Sequence, residues 1–553
     1  MLVDRYEFLV YRIVRHGLEA GHLFCRDSVS FRSLEDDLID DERWKDKENL
    51  LATAGLSRLN VPIRDHLAVL EEQLEGSLKA VNSRILSGQN EAVTFKSKRR
   101  DPNRRWSLAQ PRAHETINHP FFDSLPHVDL SAVLHFANQR CGYLNAFKHV
   151  LGRYVKTDAD DRVLMACLTA WATNMGLRHM AAISDIDYQT LKDASDNFIR
   201  LETLQPANDV VINATAVLPI FKHYDLGNAL HSSSDGQRFE TLIPTFNSRH
   251  SPKYFGLKQG VVAVTLVANH LPLSARIIGS EDHESHFVYD VLYNNTSDLQ
   301  PTIHSTDTHG TNEVNFAILH TFDYQFAPRY RDIYDKVRSS LYGFQRPIQY
   351  PADWPLRPIR KLRKSLIIDE WDNIQRIMAS LALKTTTQSI IIRKLSSHKR
   401  KNKTQRALWE YDHIFHSLYL LDYLDLPELR RNVQYALNRG ENYHQLRRAV
   451  AYANFGKLRF KTESEQQIWN ECSRLITNCI IFYNATLLSN LLLVKQKQGD
   501  TQQVALLKHI SLIAWQHINF FGRYFFDTPP AQIDVEALIQ AVANLKIRQS
   551  DAE

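Results

Sequence analysis

Apolar residues recur at helical spacing over most of the chain. Tyr6, Leu9, Ile13 and Leu18 fall roughly on one face, which predicts an amphipathic helix within residues 1–25, ending near Gly21. From about Pro62, the near-heptad series Leu67, Leu70, Leu74, Leu78, Val81 and Ile85 predicts a second, longer helix. A stripe of this kind serves either packing within one molecule or a seam between two, and internal packing is the reading adopted. Residues 89–112 lose the periodicity and gain charge, which predicts a mobile linker. Helical periodicity returns from Val163 to about Tyr224.

Between about Ala229 and Phe326 the pattern changes. VVAVTLVANH (Val261–His270) and PLSARIIGS (Pro272–Ser280) are β-branched-rich runs separated by almost nothing, the signature of a hairpin. ALHSSSDGQRF before them and QPTIHSTDTHG after them read as two more short strands, each with an aspartate near its end. A helical stretch, Glu284–Asn294, lies between the hairpin and the last of these strands. After Pro328 the helical pattern resumes almost to the end. One segment there, Leu475–Val494, carries no charge and has about the 20-residue length of a membrane span. Asn478, Asn484 and Asn490 recur inside it, and amides in hydrocarbon would each need a partner, so it reads as a buried core helix and no membrane contact is expected.

Composition narrows the class. In 553 residues there are 19 glycines and 19 prolines, 44% hydrophobic positions and 10% aromatic ones. Such a chain can build large cores, which excludes disordered, collagen-like and disulfide-scaffold proteins. Cys25, Cys141, Cys167, Cys472 and Cys479 include no CxxC pair and fit reduced thiols in a cytoplasmic protein. Asp4, Glu7 and Arg12 interrupt the apolar stretch that an export signal would need.

The net charge is only +5, but the cations are bunched. Asn373–Trp409 holds no acidic residue while Arg376, Lys384, Arg393, Lys394, Lys399, Arg400, Lys401, Lys403 and Arg406 are basic. Arg357, Arg360, Lys361, Arg363 and Lys364 form a second cluster, and Lys96, Lys98, Arg99, Arg100, Arg104 and Arg105 a third. Each alone reads equally well as a solvated run; three together favour a polyanion, with nucleic acid the natural partner.

Asp235, in Ser-Ser-Ser-Asp-Gly, and Asp307, in Ser-Thr-Asp-Thr-His-Gly, sit at the predicted ends of the first and fourth strands. In an RNase H-like sheet those strands are neighbours, and two carboxylates there can share divalent metals for phosphoryl transfer. As local patterns, both are also turn or helix-cap signals. Asn438–Gly440 reads as a helix break, after which Glu441 opens a new helix with His444, Gln445 and Arg448 near its face. Glu441 is the candidate third carboxylate; Glu410 and Glu428 remain rivals. Gly236 and Gly440 read as positions where a side chain would crowd metal or substrate. Glu281–His286 (EDHESH) lacks zinc-ligand spacing and reads as a solvated helix start. Arg329 and Arg331 follow a fifth predicted strand and are candidate phosphate contacts, while His517, Asn519 and Arg523 lie in a late motif read as helical, facing either DNA or the Glu441 helix.

These residues carry a resemblance. LTAWATNMGLRHMA (Leu168–Ala181), SSSDGQRF (Ser232–Phe239), YFGLKQGV (Tyr254–Val261), STDTHG (Ser305–Gly310), FAPRYRDI (Phe326–Ile333), LNRGENYHQLRRA (Leu437–Ala449) and WQHINFFGRYFF (Trp515–Phe526) occur in order. With weaker similarity from Asp4, the chain resembles the catalytic, carboxy-terminal part of the Tn3-family replicative transposases over nearly its whole length.

That resemblance implies an α+β, mostly helical protein, with an RNase H-like mixed sheet core, a long helical insertion and flanking helical domains. The segments are residues 1–112, helical with a basic linker; 113–225, helical; 226–335, the core with both aspartates; 336–430, the basic insertion; and 431–553, the helices that complete the site. It implies a DDE enzyme with Asp235, Asp307 and Glu441 as catalytic and metal-binding residues, Mg²⁺ as cofactor and Mn²⁺ as its substitute. The expected partners are DNA, both transposon ends and target, and a second copy of the chain. Arg329, Lys399, Arg400, Lys401, Lys403 and Arg448 are the DNA-binding candidates. Two alternatives stand beside it: a truncated, non-catalytic derivative that modulates an intact transposase, and a generic RNase H-like nuclease. Members of the family are usually longer, with amino-terminal DNA-binding domains, and usually carry an aromatic after the glycine of STDTHG, where Thr311 stands here.

Overall fold

The computed structural model describes the chain except residues 1–2, 20–22, 29–31, 97–104, 112, 114, 156–158, 228, 398–402, 527–531 and 544–553. The fold is α+β. In chain order its main elements are α1 (Val3–Glu19), α2 (Ile63–Ser87), β1 (Val93–Phe95), β2 (Trp106–Leu108), β3 (Val128–Asp129), α3 (Leu130–Cys141), α4 (Asp161–Ala172) and α5 (Leu201–Ala216). Then come β4 (His231–Glu240), β5 (Arg249–His250), β6 (Gln259–Ala268), β7 (Leu271–Gly279), α6 (Val288–Tyr293), β8 (Ile303–Ser305), α7 (Asn315–Thr321) and β9 (Gln325–Phe326). Last are α8 (Gln388–Ser397), α9 (Lys403–Asp425), α10 (Pro427–Val450), α11 (Glu463–Lys497) and β10 (Ile518–Asn519), with shorter helical turns between. They group into two units: residues 1–112, 285–290 and 307–433, and residues 113–284, 291–306 and 434–553.

In the first unit, the near-heptad stripe of α2 is wholly buried, from Leu74 and Leu78 at 0% exposure to Leu70 at 5%. It packs on α9, so the stripe is core and not an exposed seam. The expectation of a mobile linker at 89–112 is corrected in part. β1 and β2 pair antiparallel, Val93 opposite Leu108 and Phe95 opposite Trp106. Trp106 is buried edge-on against Tyr334, and that burial gives the ribbon an anchor which charge counting does not reveal.

In the second unit, β4 runs antiparallel to β6 and parallel to β8, while β6 also pairs antiparallel with β7 and, at its first residues, with β5. The strand order is therefore β7-β6-β4-β8, or 3-2-1-4 in order of appearance, with the short β5 beside the start of β6. The β6–β7 hairpin turns on Asn269 and His270, both at positive φ (44° and 75°), as a two-residue turn matched to strand twist requires. Histidine is unusual there. It is held by its Nε2, 2.7 Å from the Glu115 carboxylate.

α11 is the spine of this unit and packs against α3, α4, α5 and β7. Thr462 and Glu465 form its capping box. Its apolar window is 94% buried, so it is a core helix despite a length and composition that suit a membrane span. Each asparagine of that window finds a partner. Asn478 donates to Asn208 (2.9 Å), Asn484 to the carbonyls of Leu512 and Ala514 (2.8 and 2.9 Å), and Asn490 to that of Thr486 (2.9 Å).

The late aromatic motif is not a helix. Ile518–Asn519 forms β10, parallel to β3, and Asn519 donates to Asp129 (3.0 Å). His517 is buried, stacked on Phe122 and bonded to Asn484 (3.1 Å), so it serves the core. Arg523 lies over the Phe525 ring.

Beneath the hairpin turn sits a buried ion cluster. Arg439 donates to both Glu115 oxygens (2.6–3.2 Å), the Tyr224 carbonyl (2.7 Å) and the Asn269 side chain (2.9 Å). Burial alone would raise the Glu115 carboxyl, but Arg439 and His270 outweigh it and hold it down to about 2. Replacing Glu115 by Gln strands the Arg439 charge in the interior. We expect a loss of about 3 kcal/mol or more in urea unfolding followed by tryptophan fluorescence.

Candidate catalytic site

Alternation along β4 sends Ser232 and Ser234 to one face and Ser233, Asp235 and Gln237 to the other. On the first face His304 of β8 bridges the serines, with Nδ1 2.9 Å from Ser232 Oγ and Nε2 3.0 Å from Ser234 Oγ. His231 reaches Ser305 Oγ at 2.7 Å. Burial pushes both imidazoles down to about 3, helped in His231 by Arg439 and in His304 by His231.

Asp235 stands in mid-strand opposite Thr265, not at a strand end. Ser-Ser-Ser-Asp-Gly is thus strand and not turn, because paired side chains satisfy its hydroxyls. Gly236 is required for a different reason from crowding of metal or substrate. A Cβ there would lie 2.3 Å from the Glu284 carboxylate and 2.7 Å from Val262. Glu284 belongs to the acid- and His-rich segment read as a solvated helix start, yet it is partnered by Arg238 at 3.2 Å.

Across the other face of β4 runs α10. The predicted break at Asn438–Gly440 does not occur; the helix is continuous from Pro427 to Val450. Gly440 is there for close approach, since a Cβ on it would sit 3.2 Å from Ser233 Oγ, which itself donates to the Ala436 carbonyl (2.7 Å). Gln237 donates to the His444 carbonyl (2.9 Å) and accepts from Arg447 Nε (2.6 Å). Arg447, at 0% exposure, also reaches Thr265 and Asn470. His444 Nδ1 lies 3.7 Å from Asp235 Oδ2. Burial, then Arg447 and Arg448, push this imidazole far below its ordinary range, so it stands beside the carboxylate as a neutral group.

Glu441 falls between those two contacts, one residue past Gly440 and one helical turn before His444, with its side chain exposed. The structure therefore brings His444 of α10 beside Asp235 of β4, and Glu441 is carried, exposed, on the same stretch of that helix. Arg448, about two turns beyond Glu441, is also exposed.

Asp307 belongs to the first unit and follows β8 by two residues. Its Oδ1 accepts from the amides of His309 (2.9 Å) and Gly310 (3.0 Å), capping a short turn. Thr308 ties that turn to Arg329 and Arg331. Its Oγ1 donates to the Arg329 carbonyl (3.0 Å) and accepts from the Arg331 amide (3.3 Å). Asn315 clamps the turn's end by donating to the Gly310 carbonyl (3.0 Å).

The rival Glu410 is buried and occupied by Arg360 and the Arg363 amide, each at 3.0 Å. Glu428 is exposed near Arg431. The basic clusters are in part structural: Lys394 is buried on Asp37, Lys364 pairs with Glu71 and Arg376 with Asp41. Lys399, Arg400 and Lys401 lie outside the described residues, as do Lys98, Arg99, Arg100 and Arg104; Lys403 is exposed at the start of α9.

Among the described residues no group of three or more His, Cys, Asp or Glu side chains is close enough to hold a metal. The donor chemistry nonetheless suits a hard divalent cation. Asp235 and Glu441 offer carboxylate oxygens, and the nearest imidazole is uncharged. Sequence reading missed Arg447, Gln237 and His304 as positioning groups. Arg447 was visible inside LNRGENYHQLRRA, whereas His304 carries no local signal.

An acidic helix–strand junction on a mixed sheet defines the class of site; comparison with known families gives its kind. Residues 132–524 match the Tn3 transposase DDE domain, and the chain belongs to that family. It is 28% identical over 94% of its length to the transposase of transposon Tn2501 from Escherichia coli, and 29% identical, again over 94%, to that of Tn501 from Pseudomonas aeruginosa. The gamma-delta transposase of Escherichia coli strain K12 is 27% identical over 94% of the chain. The chain spans about half the length of these curated relatives, 52%, 52% and 53% respectively.

The histidine cage should make stability depend on pH. Unfolded, His231 and His304 titrate near 6.5; folded, near 3. Above 6.5 both states are neutral and stability is full. As pH falls through this window the unfolded chain takes up protons that the fold refuses, costing about 1.4 kcal/mol per pH unit per histidine. Melting temperatures should therefore fall from pH 7 to pH 4.5, and less steeply in His304→Gln.

Proposed function

We propose that the chain performs the catalytic steps of DNA transposition by a DDE mechanism on an RNase H-like core. The observation that supports it is the docking of α10, the helix that carries Glu441, on β4, the strand that carries Asp235, through Ser233, Gln237 and Arg447. The 3-2-1-4 strand order, with β8 beside β4 and leading directly to Asp307, supports the same reading. Asp235, Asp307 and Glu441 would hold Mg²⁺, or Mn²⁺ in its stead. Such ions neutralise charge on the reacting phosphate and activate the attacking oxygen.

The chain's own groups do the rest. Two chemically alike displacements at phosphorus are expected: water cleaves at a transposon end and frees a 3′-hydroxyl, which then attacks target DNA. The amides of His309 and Gly310 hold Asp307 in one orientation. Neutral His444 places no further positive charge beside Asp235. Arg329 and Arg448, with Lys399, Arg400, Lys401 and Lys403, would contact phosphates without reading sequence. Glu410 is disfavoured as the third carboxylate because it is already spent on Arg360. The working form is proposed as a cytoplasmic homodimer on DNA.

A strand-transfer assay on a pre-cleaved transposon-end oligonucleotide, with Mg²⁺ or Mn²⁺, tests this reading. Asp235→Asn, Asp307→Asn and Glu441→Gln should each reduce product at least about 10³-fold, with melting temperatures within a few degrees of wild type. Binding of DNA without any transfer by the wild-type chain would favour the non-catalytic derivative. Cleavage of RNA–DNA hybrids in preference to transposon ends would favour a generic nuclease.

A further inference from the structure

Beyond the end of α10 the chain makes a turn in an unusual backbone. Asn454, Phe455 and Gly456 all have positive φ: 56°, 56° and 73°. Glycine and asparagine enter the left-handed region readily, but a phenylalanine does so against the clash of its own Cβ. The surroundings enforce it. Asn174, fully buried and itself at φ 65°, donates to the carbonyls of Ala453 (3.3 Å) and Lys457 (2.7 Å). It accepts from the Arg459 amide (3.3 Å), and its carbonyl accepts from the Asn454 side chain (2.6 Å). Ala453 N donates to the Thr173 carbonyl (3.2 Å).

The product of this strapping is a phenylalanine 98% exposed. The ring gives the core nothing, so neither packing nor backbone preference explains it. Aromatic and basic residues stand near it in sequence and on the segment bonded to Tyr452. Tyr452 packs on the exposed Phe521 with ring centroids 4.7 Å apart, and Arg523 lies over the exposed Phe525. Arg448, Arg459 and Lys461 are exposed nearby in sequence, and the local acid Glu240 is neutralised by Lys258 and Lys457.

We propose that this turn is a base-stacking element for DNA, with Phe455 lying on the face of an unpaired base while the neighbouring cations follow the strand's phosphates. The inference rests on the reading that the chain acts on DNA, and deepens it. Rings interleaved with cations suit a single strand, because every base has a stacking face and every nucleotide a charge. Exposed Leu242, whose amide donates to the Leu458 carbonyl, adds an apolar side to this surface, so a protein partner is an outcome the test must separate. Along α10, Glu441 to Val450 is roughly 14 Å, and the turn continues from the end of that same helix.

Fluorescence anisotropy with labelled 30-nucleotide oligo-dT and a blunt 30-base-pair duplex provides the test, alongside thermal melting. Phe455→Asn relieves the strained backbone and removes the ring; Phe455→Trp keeps a ring. Asparagine should weaken oligo-dT binding about tenfold or more and duplex binding less than about twofold, with the melting temperature unchanged or raised. Tryptophan should bind oligo-dT like wild type. Unchanged oligo-dT affinity in Phe455→Asn would overturn the proposal, as would equal losses on both DNA forms, which mark a backbone contact. So would an altered oligomeric state in light scattering with DNA binding intact, which marks a protein surface. A wild-type chain that binds neither DNA form would overturn the DNA reading as well, whereas normal DNA binding with unaffected Phe455 variants would sink only the stacking proposal.

Discussion

Two buried guanidinium groups fix the geometry on which the site depends. Arg439 and Arg447 lie on α10 to either side of Glu441, at 3% and 0% exposure. A buried cation is tolerated only where its donors are matched, so each arginine dictates where its neighbours stand. Arg439 binds the helix to the β6–β7 turn through Asn269 and to Glu115; Arg447 binds it to β4 and β6 through Gln237 and Thr265. The helix cannot slide or roll on the sheet without stranding one of these charges. Among the described residues Glu441 itself makes no such contact. Its place is inherited from the two arginines.

Much of the framework was legible because it rests on local periodicity. The α2 stripe, the β6–β7 hairpin and the burial of α11 all follow from side chains that alternate or recur at fixed spacing. What was not legible depends on distant partners. Ser-Ser-Ser-Asp-Gly looks like a turn until His304 arrives from β8 to bond two of the serines. Asn-Arg-Gly looks like a helix end until Gly440 is seen to let α10 approach Ser233. The aromatic motif near His517 has helix-like spacing, yet its backbone pairs with β3. Glu115 has no signal at all, since its partner Arg439 is 324 residues away. The candidate carboxylates stand out as residues in motifs, Glu441 beside its rivals Glu410 and Glu428 until the resemblance favours it.

Bunched cations proved a mixed guide. Lys394, Lys364, Arg376 and Arg360 look alike in the sequence, but each is paired with an acid elsewhere in the first unit, Asp37, Glu71, Asp41 and Glu410. A basic residue whose counter-charge is distant in sequence reads as surplus when it is not. Lys403 and Arg448 differ in being exposed at the start of one helix and on the outer side of another. Clustering marks where positive potential can arise; the tertiary pairing decides how much of it remains.

The uninterrupted course of α10 through Gly440 has a consequence for how this region can change over evolutionary time. Arg439 and Arg447 are a little over two turns apart, and each residue added between them would rotate everything beyond by about 100° and advance it about 1.5 Å. One guanidinium would then face solvent, or the helix would have to unwind beside Asp235. For folding, substitutions on the outer side of this interval are cheap, but insertions and deletions are not. Its length is therefore a quantity that selection can hold constant while the residues around it drift.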